Sequence, residues 1–89
     1  MARVVFTANL ARHIAADPVE ASGATVREVL EAVFAGDDFA RSYVLDDQHA
    51  LRKHMNIFVN GNRVRDRAKL SDPVPESAEI YVMQALSGG

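Results

Sequence analysis

The spacing of apolar and polar positions changes along this chain, and each change marks an element. Arg3 to Thr7 is rich in β-branched and aromatic residues, as pleated strands are. A second stretch around Arg12 to Ala16 follows the polar Asn9, and the two together predict an N-terminal hairpin. The small residues Ala21-Ser22-Gly23-Ala24 connect it to Thr25-Val26-Arg27-Glu28, where Thr25 and Glu28 have the spacing of a capping box and so predict a helix start. Val26, Val29, Leu30, Val33 and Phe34 then fall at i, i+3, i+4, i+7 and i+8. That is the stripe of a helix with one buried side, and Gly36 is placed to end it.

Asp37 to Lys53 has no clean period. Acidic Asp37-Asp38 precedes Phe39, Tyr43, Val44 and Leu45, and Asp46-Asp47-Gln48-His49 is polar, so a short irregular helix and a loop are expected. The apolar run Ile57-Phe58-Val59 enters Asn60-Gly61, the dipeptide that most readily supplies positive φ at both central positions of a tight turn, and Asn62-Arg63-Val64 follows as the return strand. Asp72-Pro73-Val74-Pro75 interrupts regular structure; Ala78 to Met83 alternates as a last strand, and Gln84 to Gly89 is left as a tail. The order predicts an α+β domain: a mixed sheet of four to five strands covered on one face by one main helix. Strict alternation sets Ile57, Val59, Ile80 and Val82 toward the helix and Phe58, Tyr81 and Met83 on the opposite face. Large apolar residues on an open face are candidates for partner docking; packing beneath Asp37 to Lys53, or isolated exposure, are the alternatives.

Size and composition narrow the chemistry. A chain of 89 residues, 48% apolar and 25% charged, is an ordinary globular domain with room for one core, and nothing in it marks a second domain or a repeat. It has no cysteine, which excludes disulfides, thiolate metal sites and a nucleophilic thiol. A net charge of -2, with cations interleaved among acids, gives no general attraction to nucleic acid or to an anionic membrane. The apolar run at the N-terminus is far too short for a signal peptide or a membrane span, so a cytoplasmic location is expected.

The candidate chemistry lies in Ala85-Leu86-Ser87-Gly88-Gly89. At a glycine usage of about 7%, two terminal glycines fall together by chance in roughly 0.5% of chains, so the pair points to a function without fixing it. Glycine leaves the terminal carboxylate without a neighbouring side chain and lets the backbone thread a narrow channel. Six extended residues from Gln84 span about 20 Å, enough to reach a buried site in another protein. Taken alone, the ending is equally compatible with a frayed terminus or a cloning remnant.

Three stretches make the pattern specific: Asn56-Ile57-Phe58-Val59-Asn60-Gly61-Asn62-Arg63-Val64, Leu70-Ser71-Asp72-Pro73-Val74, and Glu79-Ile80-Tyr81-Val82-Met83-Gln84-Ala85-Leu86-Ser87-Gly88-Gly89. They resemble the C-terminal half of the MoaD/ThiS sulfur carrier proteins, whose terminal Gly-Gly maps onto Gly88 and Gly89, and the helix at Thr25 falls where that family has one. The resemblance implies a ubiquitin-like β-grasp fold, with residues 1–84 as the domain and 85–89 as a flexible tail. It further implies that Gly89 carries sulfur: a ThiF/MoeB-like adenylating enzyme activates its carboxylate with ATP and magnesium, a sulfur donor converts the product to a thiocarboxylate, and a downstream synthase accepts the sulfur. Gly88, Ser87 and Leu86 would then be the tail that partners recognise. The ATP and metal would belong to the partner, and the chain would bind no cofactor and be no enzyme by itself. The length and the Asp37 to Lys53 segment look more like molybdopterin-type or cysteine-type carriers than thiamine-type ones.

Other signals carry less. His13, His49 and His54 share no close spacing with other ligands. Asp37-Asp38 and Asp46-Asp47 read as solvated or helix-start acids, Ser87 has no His and Asp partners in the pattern, and the glycines match no phosphate-binding fingerprint. Two competing functions remain: a ubiquitin-like modifier joined to lysines through Gly89, and a binding module with an idle tail.

Overall fold

The computed structural model describes residues 1–7 and 18–84. Its elements run β1 (Ala2–Phe6), β2 (Val19–Ala21), α1 (Val26–Val33), α2 (Asp38–Val44), β3 (Met55–Val59), β4 (Asn62–Arg63) and β5 (Glu79–Gln84). The five strands form one sheet in the order β2-β1-β5-β3-β4. β1 pairs in parallel with β5, and every other pairing is antiparallel. This is the β-grasp fold, with the first and last strands side by side at the centre.

Helix α1 starts as the cap spacing predicts. The Thr25 hydroxyl accepts from the Glu28 N–H at 3.2 Å, while the Glu28 carboxylate reaches back to the Ala24 N–H at 2.9 Å. The next two N–H groups, which have no partner within a helix, donate across the fold: Val26 to the Asp72 carbonyl and Arg27 to that of Leu70. Asp72-Pro73 thus breaks strand structure in order to cap a helix. Gly36 follows the helix with φ +77°, and Asp37 opens α2 by accepting from the Ala40 N–H. The Asn60-Gly61 turn has φ +49° and +86°, the pair of positive angles a two-residue hairpin requires.

Alternation sorts the sheet into two faces. Val4, Phe6, Met55, Ile57, Ile80 and Val82 are buried against Val26, Val29, Leu30 and Phe34 of the α1 region and against Ala40 and Val44 of α2. Phe6 and Phe34 meet with ring centroids 6.1 Å apart. Val59 packs on the margin of this core, half-buried.

β1 and β5 each differ by one residue at their ends from the sequence reading, and larger differences lie elsewhere. The strand paired with β1 is Val19–Ala21, so the small-residue connector begins at Ser22; of the three strand residues only Ala21 is buried, which leaves no apolar alternation to read. The stretch Arg12 to Ala16 lies outside the described residues. Gln84 belongs to β5, opposite Met55, and is not part of the tail. Asp37 to Lys53 forms a short helix and a loop, and it covers the same face as α1, so Phe58, Tyr81 and Met83 do not pack beneath it.

Candidate functional site

β5 is the strand on which both candidate features meet. It is bonded along both edges, to β1 through Arg3↔Glu79, Val4↔Ile80, Val5↔Tyr81 and Phe6↔Val82, and to β3 from Met55↔Gln84 to Val59↔Ile80. Leu86, Ser87, Gly88 and Gly89 lie outside the described residues. Their root does not: five residues beyond Gln84 reach at most about 18 Å from the end of the sheet.

Phe58 and Tyr81 stand opposite one another on the face away from the helices, with Val5 on the far side of Tyr81 and Arg63 on the far side of Phe58. Met83 lies one pleat nearer the tail, opposite Asn56. Phe58, Tyr81, Met83 and Val5 are all half-buried, so this is a row of apolar side chains shielded by neighbours at its edges yet open to contact. The Arg63 guanidinium lies 5.9 Å from the Phe58 ring centroid, a cation–π arrangement that holds the cation at the rim. Across the sheet, Arg3 and Glu79 pair at 3.5 Å, both well exposed.

Two groups at the tail root were not anticipated. Arg67 donates to the carbonyls of Arg52 (2.8 Å) and Met55 (2.9 Å) and to the Asn56 side chain, tying the β3 entry to the loop after β4. Tyr43 of α2 donates its hydroxyl to the Gln84 side chain at 3.4 Å, and its ring lies tilted at 45° beside the exposed ring of Phe39, with centroids 6.3 Å apart. The Phe39/Tyr43 spacing of four in a helix was a usable signal; the Arg67 clamp had none.

Asp46 and Asp66 have structural roles in the loops. Asp46 accepts from the N–H groups of Ala50 and Gln48, which hold its carboxyl below the usual carboxylate range and close a turn in which His49 takes φ +63°. Asp66 is likewise held low, first by the Ser71 hydroxyl and then by the Lys69 N–H. Among the described residues, no three His, Asp or Glu side chains converge where a metal ion could sit, and no helix is long and apolar enough to cross a membrane.

A β-grasp domain whose central strand runs out beside an apolar row on the open face is the class these observations define. The ThiS family model matches residues 4–89, and the chain belongs to that family of ubiquitin-like sulfur carrier and modifier proteins. Among solved structures, a chain of the Amycolatopsis orientalis BexX/CysO complex is 26% identical, with a TM-score of 0.82 and full coverage of both chains. Small archaeal modifier protein 1 from Methanosarcina acetivorans is 29% identical, with a TM-score of 0.74 over 99% of this chain and 95% of that one. The protein of that name from Haloferax volcanii is 25% identical, with a TM-score of 0.77 over 99% and 98%. No curated protein matches the chain.

Proposed function

We propose that this protein is a sulfur carrier whose Gly89 carboxylate is activated and converted to a thiocarboxylate for a molybdopterin-type or cysteine-type pathway. The observation that carries the reading is the family match running through Gly89 from a central strand that stops at Gln84. A carboxylate is a poor acyl electrophile, since its charge repels nucleophiles and its leaving group is oxide. Attack of a Gly89 oxygen on the α-phosphate of ATP releases pyrophosphate and leaves an acyl-adenylate. Hydrosulfide from a sulfur donor then attacks that carbonyl carbon, the C–O bond to AMP breaks, and the thiocarboxylate forms with loss of a proton. ATP, magnesium and the catalytic groups belong to a ThiF/MoeB-like enzyme, and a downstream synthase takes the sulfur; this chain supplies the acyl group and the surface that presents it. Phe58, Tyr81 and Met83 receive the partner, and Leu86, Ser87 and Gly88 carry Gly89 into its channel.

Intact mass spectrometry of untagged protein tests this, both as recovered from its own cells and after incubation with the adenylating enzyme, ATP and sulfide. The expected result is a shift equal to exchange of one oxygen for sulfur, localised to Gly89 and absent when Gly89 is deleted. A C-terminus other than Gly89, or unmodified protein throughout, would refute it. Likeness to two proteins named as modifiers favours a second reading, conjugation of Gly89 to lysines, which the same spectra would show as branched, heavier species.

A further inference from the structure

The charges of this chain are unevenly placed. Residues 52–69 hold Arg52, Lys53, Arg63, Arg65, Arg67 and Lys69 against the single acid Asp66, a net +5, whereas the rest holds four cations against eleven acids, a net -7. The fold turns this run into one edge of the molecule. β4 is the last strand of the sheet, and Arg63, Arg65 and Arg67 alternate along it and beyond it, with the buried Val64 between the first two. The line begins over Phe58 and ends at the tail root, where Arg67 clamps Met55 and where Lys53 is exposed.

Among the described residues, no ion pair takes up the three exposed cations of this edge. The ion pairs formed elsewhere, such as Arg3–Glu79, Arg27–Glu31 and Arg41–Asp38, leave out Lys53, Arg63 and Arg65, all three exposed. Asp66 turns its carboxylate to Ser71 and the Lys69 N–H. Asp72, the acid beside the edge, keeps its charge but accepts from the N–H groups of Arg65 and Asp66 and forms no ion pair with a guanidinium among the described residues, so its single charge stands against three exposed cations there. Three exposed cations lying beside an apolar row and leading to the tail root form a polar rim on one side of a hydrophobic patch.

We infer that the edge of Arg63, Arg65 and Lys53 is a docking rim for an acidic surface on the enzyme that activates Gly89. This rests on the sulfur-carrier reading. The reach of the tail supplies the link, because an enzyme holding Gly89 within about 18 Å of Gln84 is brought against the end of the sheet where Lys53 lies. Charge supplies the orientation. A domain that is net negative elsewhere is repelled by an acidic partner in every approach except along this edge, so the rim selects the pose that aims the tail at the partner.

The test is the ATP–pyrophosphate exchange catalysed by the ThiF/MoeB-like enzyme of the same organism, with this protein as the varied substrate, at ionic strengths from about 0.03 to about 0.3 M, across which the Debye length shrinks severalfold. For the natural protein, KM should rise about tenfold over that range. R63E/R65E should raise KM at least tenfold at low salt, keep kcat, and lose most of the salt dependence, while R63K/R65K stays near the natural value. A natural KM indifferent to salt overturns the inference without recourse to any variant, as does an R63E/R65E variant of native thermal stability with unchanged KM. Retention of the natural protein on duplex DNA, lost in R63E/R65E with KM unmoved, would reassign the rim to nucleic acid. If the natural protein supports no exchange at all, the carrier reading falls and the rim's assignment falls with it; exchange that is present but insensitive to charge refutes the rim alone.

Discussion

Neighbouring residues of β5 should separate stability from partner recognition, because alternation assigns them to opposite faces. Ile80 is fully buried between Val4 and Val59 on the helix side. Ile80→Ala removes three buried carbons, about 2.4 kcal/mol at roughly 0.8 kcal/mol per methylene, and the cavity left behind brings the cost to about 2–5 kcal/mol. A domain of this length has on the order of 4–13 kcal/mol in total, so this change should lower Tm by roughly 10–30 °C. Tyr81 is half-buried and pairs laterally with Val5 and Phe58. Two lost cross-strand contacts, at about 0.2–1 kcal/mol each, put Tyr81→Ser at no more than about 2 kcal/mol. If Tyr81 is an anchor of the interface, its truncation costs about 2 kcal/mol of binding, which is roughly a thirtyfold rise in KM for ATP–pyrophosphate exchange. Thermal melts and exchange kinetics on both variants check this. Equal destabilisation by the two changes would refute the assignment of faces, and an unmoved KM for a folded Tyr81→Ser protein would remove the docking role.

Three further outcomes follow from local geometry. A Cβ on Gly23 would lie 2.7 Å from the Val29 backbone nitrogen and 2.9 Å from Glu28 Cβ, so Gly23→Ala should cost about 1–3 kcal/mol in urea unfolding; a neutral result would show that the connector can yield. Thr25→Ala removes the acceptor for the Glu28 N–H and should cost about 1 kcal/mol, with the loss read by helical circular dichroism during thermal unfolding. The carboxyl of Asp66 titrates below its ordinary 3.8, so the stability it lends is full above about pH 4 and is lost as pH falls through its lower folded value. Ser71→Ala, by removing the largest cause, should raise that pKa in a carbon-detected NMR titration, and an unchanged midpoint would refute the contact.

What the sequence revealed depended on whether an element's signal was local. The cap at Thr25 and the stripe through Phe34 are settled within one helix, and Asn60-Gly61 carries its turn geometry in two residues, so both were legible. β2 was not, because Val19 and Glu20 are exposed and only Ala21 is buried; its place comes from pairing with Ala2, Arg3 and Val4, far along the chain. The contacts at the tail root depend on segments far apart in sequence: Arg67 meets Met55 and Arg52, and Tyr43 meets Gln84. The apolar row was legible from alternation alone. The chemistry of Gly89 was legible only through the family resemblance, since two glycines state no reaction.

The position of β5 bears on how such a tail can be used. An edge strand frays, and a tail rooted in one would add the strand's own motion to its end. β5 is bonded on both sides through Val82, and Gln84 is still paired with Met55, so the root is fixed to within one residue of the tail. Gly89 is five residues from that root, so it lies within about 18 Å of one end of the sheet. Docking the body therefore concentrates the carboxylate at the partner's site, the entropic gain that linked binding elements obtain when the span matches the linker. The apolar row and the basic edge approach that same end, through Met83 and Lys53, so a partner that grips either of them has already restricted where Gly89 can go.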